Sequence, residues 1–154
     1  MSNKYEVALD QFDVALLRVL QTDARVPNVT LAEKIHLSPA PCLRRVRDLE
    51  TAGVIQRYVT LLNPHALGLG VSVFIQVSLE KQVGGALHTF EQVIHECPEV
   101  MECYLMTGDS DYLLRVVTRN LESLQHFIVN ELAKIPHVAN IRSSIALQQI
   151  KYKT

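Results

Sequence analysis

The segment SPAPCLRRVRDLE, residues 38–50, has the pattern of a short helix with one apolar and one charged side. Proline at the first helical position is a strong start signal, because the N–H that it lacks would have no helical partner there, and Pro39 follows Ser38. Gly53 supplies the stop signal, since glycine readily adopts the left-handed conformation that ends helices. At about 100° per residue, one side of this predicted helix faces a core with Cys42, Leu43, Val46 and Leu49.

The other side of this helix carries an unusual concentration of positive charge. Arg44 and Arg47 lie on the side opposite the apolar one, and Arg45 lies at the edge of this charged side. The whole chain, by contrast, is close to neutral, with 15 Lys and Arg against 16 Asp and Glu. Net charge therefore argues against a general polycation but permits a local basic patch. Two interpretations remain open: a solvated face partly paired with Asp48 and Glu50, or a surface that meets an anion.

The flanking sequence favours the second interpretation. A stripe of leucines and Phe12 between residues 9 and 20 predicts a first helix, which Pro27 ends. The segment NVTLAEKIHLS predicts a short second helix, with Thr30 as its cap and Glu33 completing a capping box. Residues 54–62, VIQRYVTLL, read as a short strand. Three helices with a basic third helix, followed by a strand, predict a winged helix-turn-helix domain.

In a helix-turn-helix domain the third helix enters the major groove of DNA. The guanidinium fork of arginine matches both guanine edges and phosphate oxygens, so Arg44, Arg45 and Arg47 are candidate contacts. We expect Arg57, in the predicted wing, to reach backbone phosphate.

The second half of the chain changes period. VSVFIQVSL alternates apolar and polar residues and predicts a strand, and the following segments predict a helix, two strands joined by TGDSD, a second helix behind Asn120 and a last strand. This order, βαββαβ, is that of a ferredoxin-like domain in an α+β protein. We expect residues 1–62 to form the DNA-binding domain, 63–70 a linker, and 71–154 the ferredoxin-like domain.

The turn TGDSD has two interpretations. It is a typical hairpin turn, but its residues also offer the groups needed to bind a free amino acid. Backbone N–H groups around Gly108 can hold an α-carboxylate, and Asp109 or Asp111 can pair with an α-ammonium. A calcium loop is disfavoured, because glutamate at the twelfth position and glycine at the sixth are both missing.

Several other classes of function lack support in the sequence. The three cysteines have no CxxC spacing and the six histidines are scattered, so we expect no metal site. Small acyl-phosphate hydrolases share the βαββαβ order but need an arginine after the first strand, where this chain has none, and no catalytic motif is present. Because these catalytic motifs are missing, we do not expect an enzyme. Without a signal peptide or an apolar run of membrane length, we expect a cytoplasmic protein.

The segments LDQFDVALLRVLQTDAR, LAEKIHLSPAPCLRRVRDLETAGVIQRYV, LNPHALGLG and MTGDSDYLLRV together resemble the Lrp/AsnC family of bacterial and archaeal regulators. The resemblance covers nearly the whole chain, and its motifs are specific in order and spacing. It implies a transcriptional regulator with a winged helix-turn-helix followed by a βαββαβ regulatory domain, residues 71–154, for effector binding and oligomerisation. It also implies homodimers that assemble into tetramers or octamers and sense amino acids between regulatory domains.

Site residues follow from the patterns and the resemblance together. We expect DNA contacts from Thr30, Ser38, Pro39, Ala40, Arg44, Arg45, Arg47 and Arg57. We expect effector contacts from Leu105, Met106, Thr107, Gly108, Asp109, Ser110, Asp111, Tyr112 and Ser143. The chain departs from the family pattern at Pro41, and at Ser143 and Ser144, where relatives often carry threonine.

No cation lies in the turn, so an acidic effector side chain would remain unpaired there, although Arg115 or Arg142 could reverse this by reaching in. The expected effector is therefore a neutral aliphatic amino acid, leucine or methionine. The alternative is an architectural DNA-binding protein of the same fold that senses no small molecule.

Overall fold

The computed structural model describes residues 7–80 and 84–152, which fall into two units that divide between Leu61 and Leu62. The N-terminal unit contains three helices, α1 (Gln11–Thr22), α2 (Asn28–Lys34) and α3 (Pro39–Thr51). Apolar side chains from all three helices form its core, namely Leu16, Leu31, Ala32, Ile35, Cys42 and Leu49. This arrangement confirms the predicted helix-turn-helix.

Local sequence signals set the starts of α1 and α3. At α1, Asp10 Oδ1 accepts from the Asp13 N–H at 3.0 Å, and Asp13 Oδ2 accepts from the Asp10 N–H at 3.1 Å, which completes a capping box. At α3, Ser38 is the N-cap and Pro39 the first helical residue, as predicted. Gly53 follows the helix with φ of 73°, the left-handed conformation that terminates helices at low cost only for glycine.

The predicted cap of α2 is wrong. The helix begins at Asn28 behind Pro27, whose carbonyl accepts from the Leu31 N–H at 2.9 Å. Thr30 therefore lies inside the first turn and forms no capping box with Glu33. Proline favours this earlier start, because its fixed φ, here −60°, suits the residue that precedes a helix.

The strand expected at residues 54–62 is absent. The N–H groups of Val54 and Ile55 both donate to the Leu49 carbonyl, at 3.0 and 3.1 Å, so these residues close the end of α3. Residues 56–63 then have no regular structure. A strand is stable only beside a hydrogen-bonded partner, and no segment among the described residues of this unit pairs with it. The chain by itself therefore forms a helix-turn-helix without the predicted wing.

The C-terminal unit follows the predicted βαββαβ order. Its elements are β1 (Val71–Leu79), α4 (Gly84–Glu96), β2 (Val100–Leu105), β3 (Tyr112–Thr118), α5 (Leu121–His126) and β4 (Val138–Ile145). After α5 the chain continues through a π-helical turn and a 3₁₀ turn, so the second helix is less regular than expected. The strands form one antiparallel sheet in the order β2-β3-β1-β4, which is the ferredoxin-like topology.

The core of this unit lies on one face of the sheet. The alternation in β1 buries Val73, Ile75 and Val77 beneath the helices, and Phe90 of α4 packs on them. The other face carries side chains such as Phe74, which is 40% exposed. An antiparallel sheet often has one packed and one open face, so the topology leaves this second face available.

Candidate nucleic-acid interface and effector site

The outer face of α3 presents the predicted basic surface. Arg44 and Arg47 are both exposed, and neither guanidinium makes an ion pair within the part of the chain that the structure describes. Ser38, the N-cap of α3, and Ala40, in its first turn, are also exposed. Pro39 and Pro41, the first and third residues of the helix, have no N–H. Ala40 between them therefore carries the free backbone donor of this turn.

Arg45 is directed elsewhere, which corrects its grouping with the other two arginines. Its Nη2 lies 2.8 Å from Asp10 Oδ2 and its Nη1 donates to Asp13 Oδ1 at 2.7 Å, so both sides of the guanidinium fork meet α1. The guanidinium also lies over the Phe12 ring, 5.4 Å from its centroid. The bond to Asp13, and then that to Asp10, raise the pKa of Arg45. The N–H of Asp13, and to a smaller extent Arg45, lower the pKa of Asp10.

Three other N-terminal residues lie in places that the sequence did not indicate. Leu43 was predicted to be buried but is 39% exposed, so the core face of α3 is narrower than expected. Thr30 is half-buried inside α2. Arg57 is exposed in the irregular segment after α3, where the neighbouring Tyr58 hydroxyl donates to Glu50 Oε1 at 2.8 Å. Burial, and then this bond, raise the pKa of Tyr58 to about 12.

The predicted effector turn is the connection between β2 and β3. Gly108 has φ of 113°, which an L side chain rarely adopts, and residues 105–109 are exposed. The turn is attached to the end of β1, because the Asp111 N–H donates to the Val77 carbonyl at 2.9 Å and the Ser78 hydroxyl donates to the Asp109 carbonyl at 3.3 Å. An exposed glycine turn is therefore held on an ordered strand.

The two turn carboxylates differ in their surroundings. Asp111 Oδ2 accepts from the Leu79 N–H at 2.7 Å, and Asp111 is half-buried. Asp109 is exposed, and its carbonyl rather than its carboxylate makes the bond to β1. Asp111 thus fastens the turn to β1, whereas the Asp109 carboxylate faces solvent.

Two of the predicted effector residues lie apart from the turn surface. The Tyr112 side chain is in the core, 1% exposed, with its ring 4.5 Å from that of Phe90 and its hydroxyl donating to Glu91 Oε1 at 2.9 Å. Ser143 lies on β4 opposite Ile75, with β1 between it and β3. The contiguous turn residues are therefore brought together, but Ser143 is not joined to them within one chain.

A cavity of about 350 Å³ lies beside the turn, between α4 and β2, and sequence reasoning missed it. Leu105 and Tyr112 link it to the predicted effector residues, and two carboxylates line it, Glu91 and Glu102, of which Glu102 is ion-paired with Arg115 at 2.8 Å. No sequence signal identifies it, because α4 and β2 contribute residues that share no motif. The lining consists of Glu91, Ile94, His95, Val100, Met101, Glu102, Cys103, Leu105 and Tyr112.

The described ranges, residues 7–80 and 84–152, show neither a metal-binding cluster nor a membrane-spanning helix. No group of three or more His, Cys, Asp or Glu side chains is placed to hold a metal ion. No helix there combines the length and apolar character required to cross a membrane.

Comparisons with known proteins agree with both halves of this architecture. Residues 9–50 match the AsnC-type helix-turn-helix domain, and residues 72–154 match the Lrp/AsnC ligand binding domain. The Bkd operon transcriptional regulator of Pseudomonas aeruginosa is 46% identical over 146 residues, which cover 95% of each chain. The leucine-responsive regulatory protein of Rhizobium meliloti is 43% identical over 145 residues, which cover 94% of this chain and 93% of that protein.

Solved structures show the same relationship. A transcriptional regulator from Neisseria meningitidis, crystallised as a complex with L-Met, has a TM-score of 0.92 and 38% identity, over 96% of this chain and 95% of that one. AsnC of Escherichia coli has a TM-score of 0.86 and 28% identity, over 96% of this chain and 98% of that one. The chain belongs to the Lrp/AsnC family: it is a transcriptional regulator with a DNA-binding helix-turn-helix and a ligand-binding domain, and not an enzyme.

Proposed function

We propose that this regulator reads specific DNA sequences with α3 and that leucine or methionine, bound at the β2–β3 turn, changes its assembly or its affinity for DNA. The single observation that carries the effector proposal is the exposed Gly108 turn beside an acidic, partly apolar cavity. On the DNA side, Arg44 and Arg47 supply the base and phosphate contacts, with Ser38 and Ala40 at the start of the helix beside them.

The turn suits the two charged groups that all free amino acids share. Backbone N–H groups around Gly108 can approach an α-carboxylate closely, because glycine has no side chain to obstruct them. The exposed carboxylate of Asp109 is placed to pair with the α-ammonium. Asp111 holds the turn in position through its bond to the Leu79 N–H.

The surroundings favour a neutral effector side chain over an acidic one. Glu91, which makes no ion pair among the described residues, contributes negative charge to the cavity lining and so disfavours burial of another carboxylate there. Arg115 donates to Glu102 Oε1 at 2.8 Å, and Arg142 lies on β4, a strand that adjoins neither β2 nor β3. Within one chain, therefore, Arg115 is already paired and Arg142 is not part of the β2–β3 hairpin. Ile94, Met101 and Leu105 offer apolar contact. The L-Met complex of the Neisseria regulator and the name of the Rhizobium relative support the same choice.

Addition of methionine or leucine should raise the melting temperature of the protein. A ligand that binds only the folded state stabilises it by about 2.7 kcal/mol when present at 100 times its Kd. The measurement is a thermal-shift screen of the twenty amino acids, with aspartate and glutamate as charged controls of similar size. Stabilisation by glutamate or lysine but not by methionine or leucine would refute the aliphatic assignment. No shift with any amino acid would favour an architectural protein instead.

We also propose that the chain forms homodimers that assemble into tetramers or octamers. Several large apolar side chains are exposed in the single chain, among them Leu61, Leu62, Phe74, Leu147 and Ile150, the last two at 97% and 84%. Large apolar side chains left exposed on the open face of a sheet or beyond its last strand are commonly covered by a second subunit. Light scattering at micromolar concentration should give the mass of a dimer or larger assembly, and the mass of one 17.3 kDa chain would reject the proposal.

A further inference from the structure

Arg45 occupies a different environment from its two neighbours on the recognition helix. Its side chain is 25% exposed, and its two Nη atoms contact two carboxylates that belong to one capping box, those of Asp10 and Asp13. Asp10 and Asp13 lie 35 and 32 positions before Arg45 in sequence, so the contact fixes one helix on another.

The acceptors of this contact are themselves held in place. Asp10 Oδ1 accepts from the N–H groups of Phe12 and Asp13 at 2.8 and 3.0 Å, and Asp13 Oδ2 accepts from the Asp10 N–H at 3.1 Å. Each carboxylate therefore uses one oxygen for the α1 cap and offers the other to Arg45. A planar fork that binds two fixed oxygens restrains both the distance and the rotation of α3 relative to α1, which a lysine ammonium cannot reproduce.

We propose that Arg45 is a positioning residue for DNA recognition and makes no DNA contact of its own. It sets the rotation of α3 so that Arg44 and Arg47 face the groove together. This inference rests on the proposed reading of DNA by α3. Sequence alone groups three arginines as equivalent contacts, whereas the structure assigns two to the exposed face and the third to α1.

The test measures the affinity of each variant for two DNA duplexes of the same length and compares their ratio. One duplex is selected from a random library with the wild-type protein, and the other has a scrambled sequence. This ratio separates a positioning role from a phosphate contact. Arg45→Lys keeps the charge but loses the fork. We expect it to lower the ratio of selected to scrambled affinity about tenfold, with an unchanged slope of log affinity against log salt. The Asp10→Asn, Asp13→Asn double variant should lower the same ratio to a similar extent, since the ratio cancels the general effect of removing negative charge.

Three other outcomes would overturn the inference. If Arg45 contacts phosphate, Arg45→Gln lowers both affinities equally and reduces the salt slope by about 0.9 per lost contact, while the aspartate double variant leaves the ratio unchanged. If the contact only stabilises the fold, melting temperatures fall but the ratio, measured well below them, stays constant. If the wild-type selection yields no preferred duplex, the proposed reading of DNA fails, and the positioning role fails with it.

Discussion

Replacement of both Arg44 and Arg47 with alanine is expected to reduce affinity for a selected operator duplex about 100-fold or more, because each arginine that reads a base contributes about 1–3 kcal/mol. Both side chains are exposed on one face of α3 and are free of ion pairs among the described residues, so no internal partner competes with DNA for them. Fluorescence anisotropy over a range of salt concentrations measures the affinity and the salt slope together. Loss of a phosphate contact lowers the slope by about one unit.

The matched control removes equal charge from exposed positions outside α3. Arg18→Ala combined with Arg119→Ala takes two arginines from other surfaces, so it changes net charge without touching the recognition helix. We expect this variant to keep the preference for the selected duplex. If Arg44→Ala, Arg47→Ala retains wild-type affinity and salt slope, α3 is not the element that reads DNA.

Features that depend on short-range chemistry were predictable from the sequence. Proline and glycine define the two ends of α3 because their backbone preferences act on the residues beside them. Strand β1 follows from its alternation, since a half-buried strand must place every second side chain in the core. The hairpin between β2 and β3 follows from its glycine and aspartates, and Gly108 indeed has a positive φ.

Features that depend on contacts between distant segments were not predictable. A helical wheel places Arg45 at the edge of the charged side of α3, but nothing in the local pattern states that the cap of α1 lies beside it. The segment at 54–62 has the composition of a strand, yet pairing requires a partner that the described part of this chain does not supply. The cavity beside the turn arises from the packing of α4 on β2, which no motif records.

Replacement of Asp111 with alanine is expected to lower the free energy of unfolding by about 1–3 kcal/mol, even without an effector, because it leaves a half-buried backbone donor without its charged acceptor. The lost bond is the one from the Leu79 N–H to Asp111 Oδ2, 2.7 Å long, which fastens the β2–β3 turn to the end of β1. Urea unfolding of the effector-free protein measures this change. An unchanged unfolding free energy would contradict this prediction and show that the bond does not stabilise the folded state.

Asp109→Ala is the companion variant, for which we expect little change in stability but weaker binding of methionine. Asp109 is exposed and its backbone carbonyl, which alanine retains, makes the bond to Ser78, so stability should change by no more than about 0.5 kcal/mol. If its carboxylate pairs with the α-ammonium, the same change should weaken methionine binding about tenfold, as expected for a hydrogen bond to a charged group. Calorimetry with methionine on both variants separates the two roles. Methionine affinity equal to wild type in Asp109→Ala would exclude this carboxylate from the site.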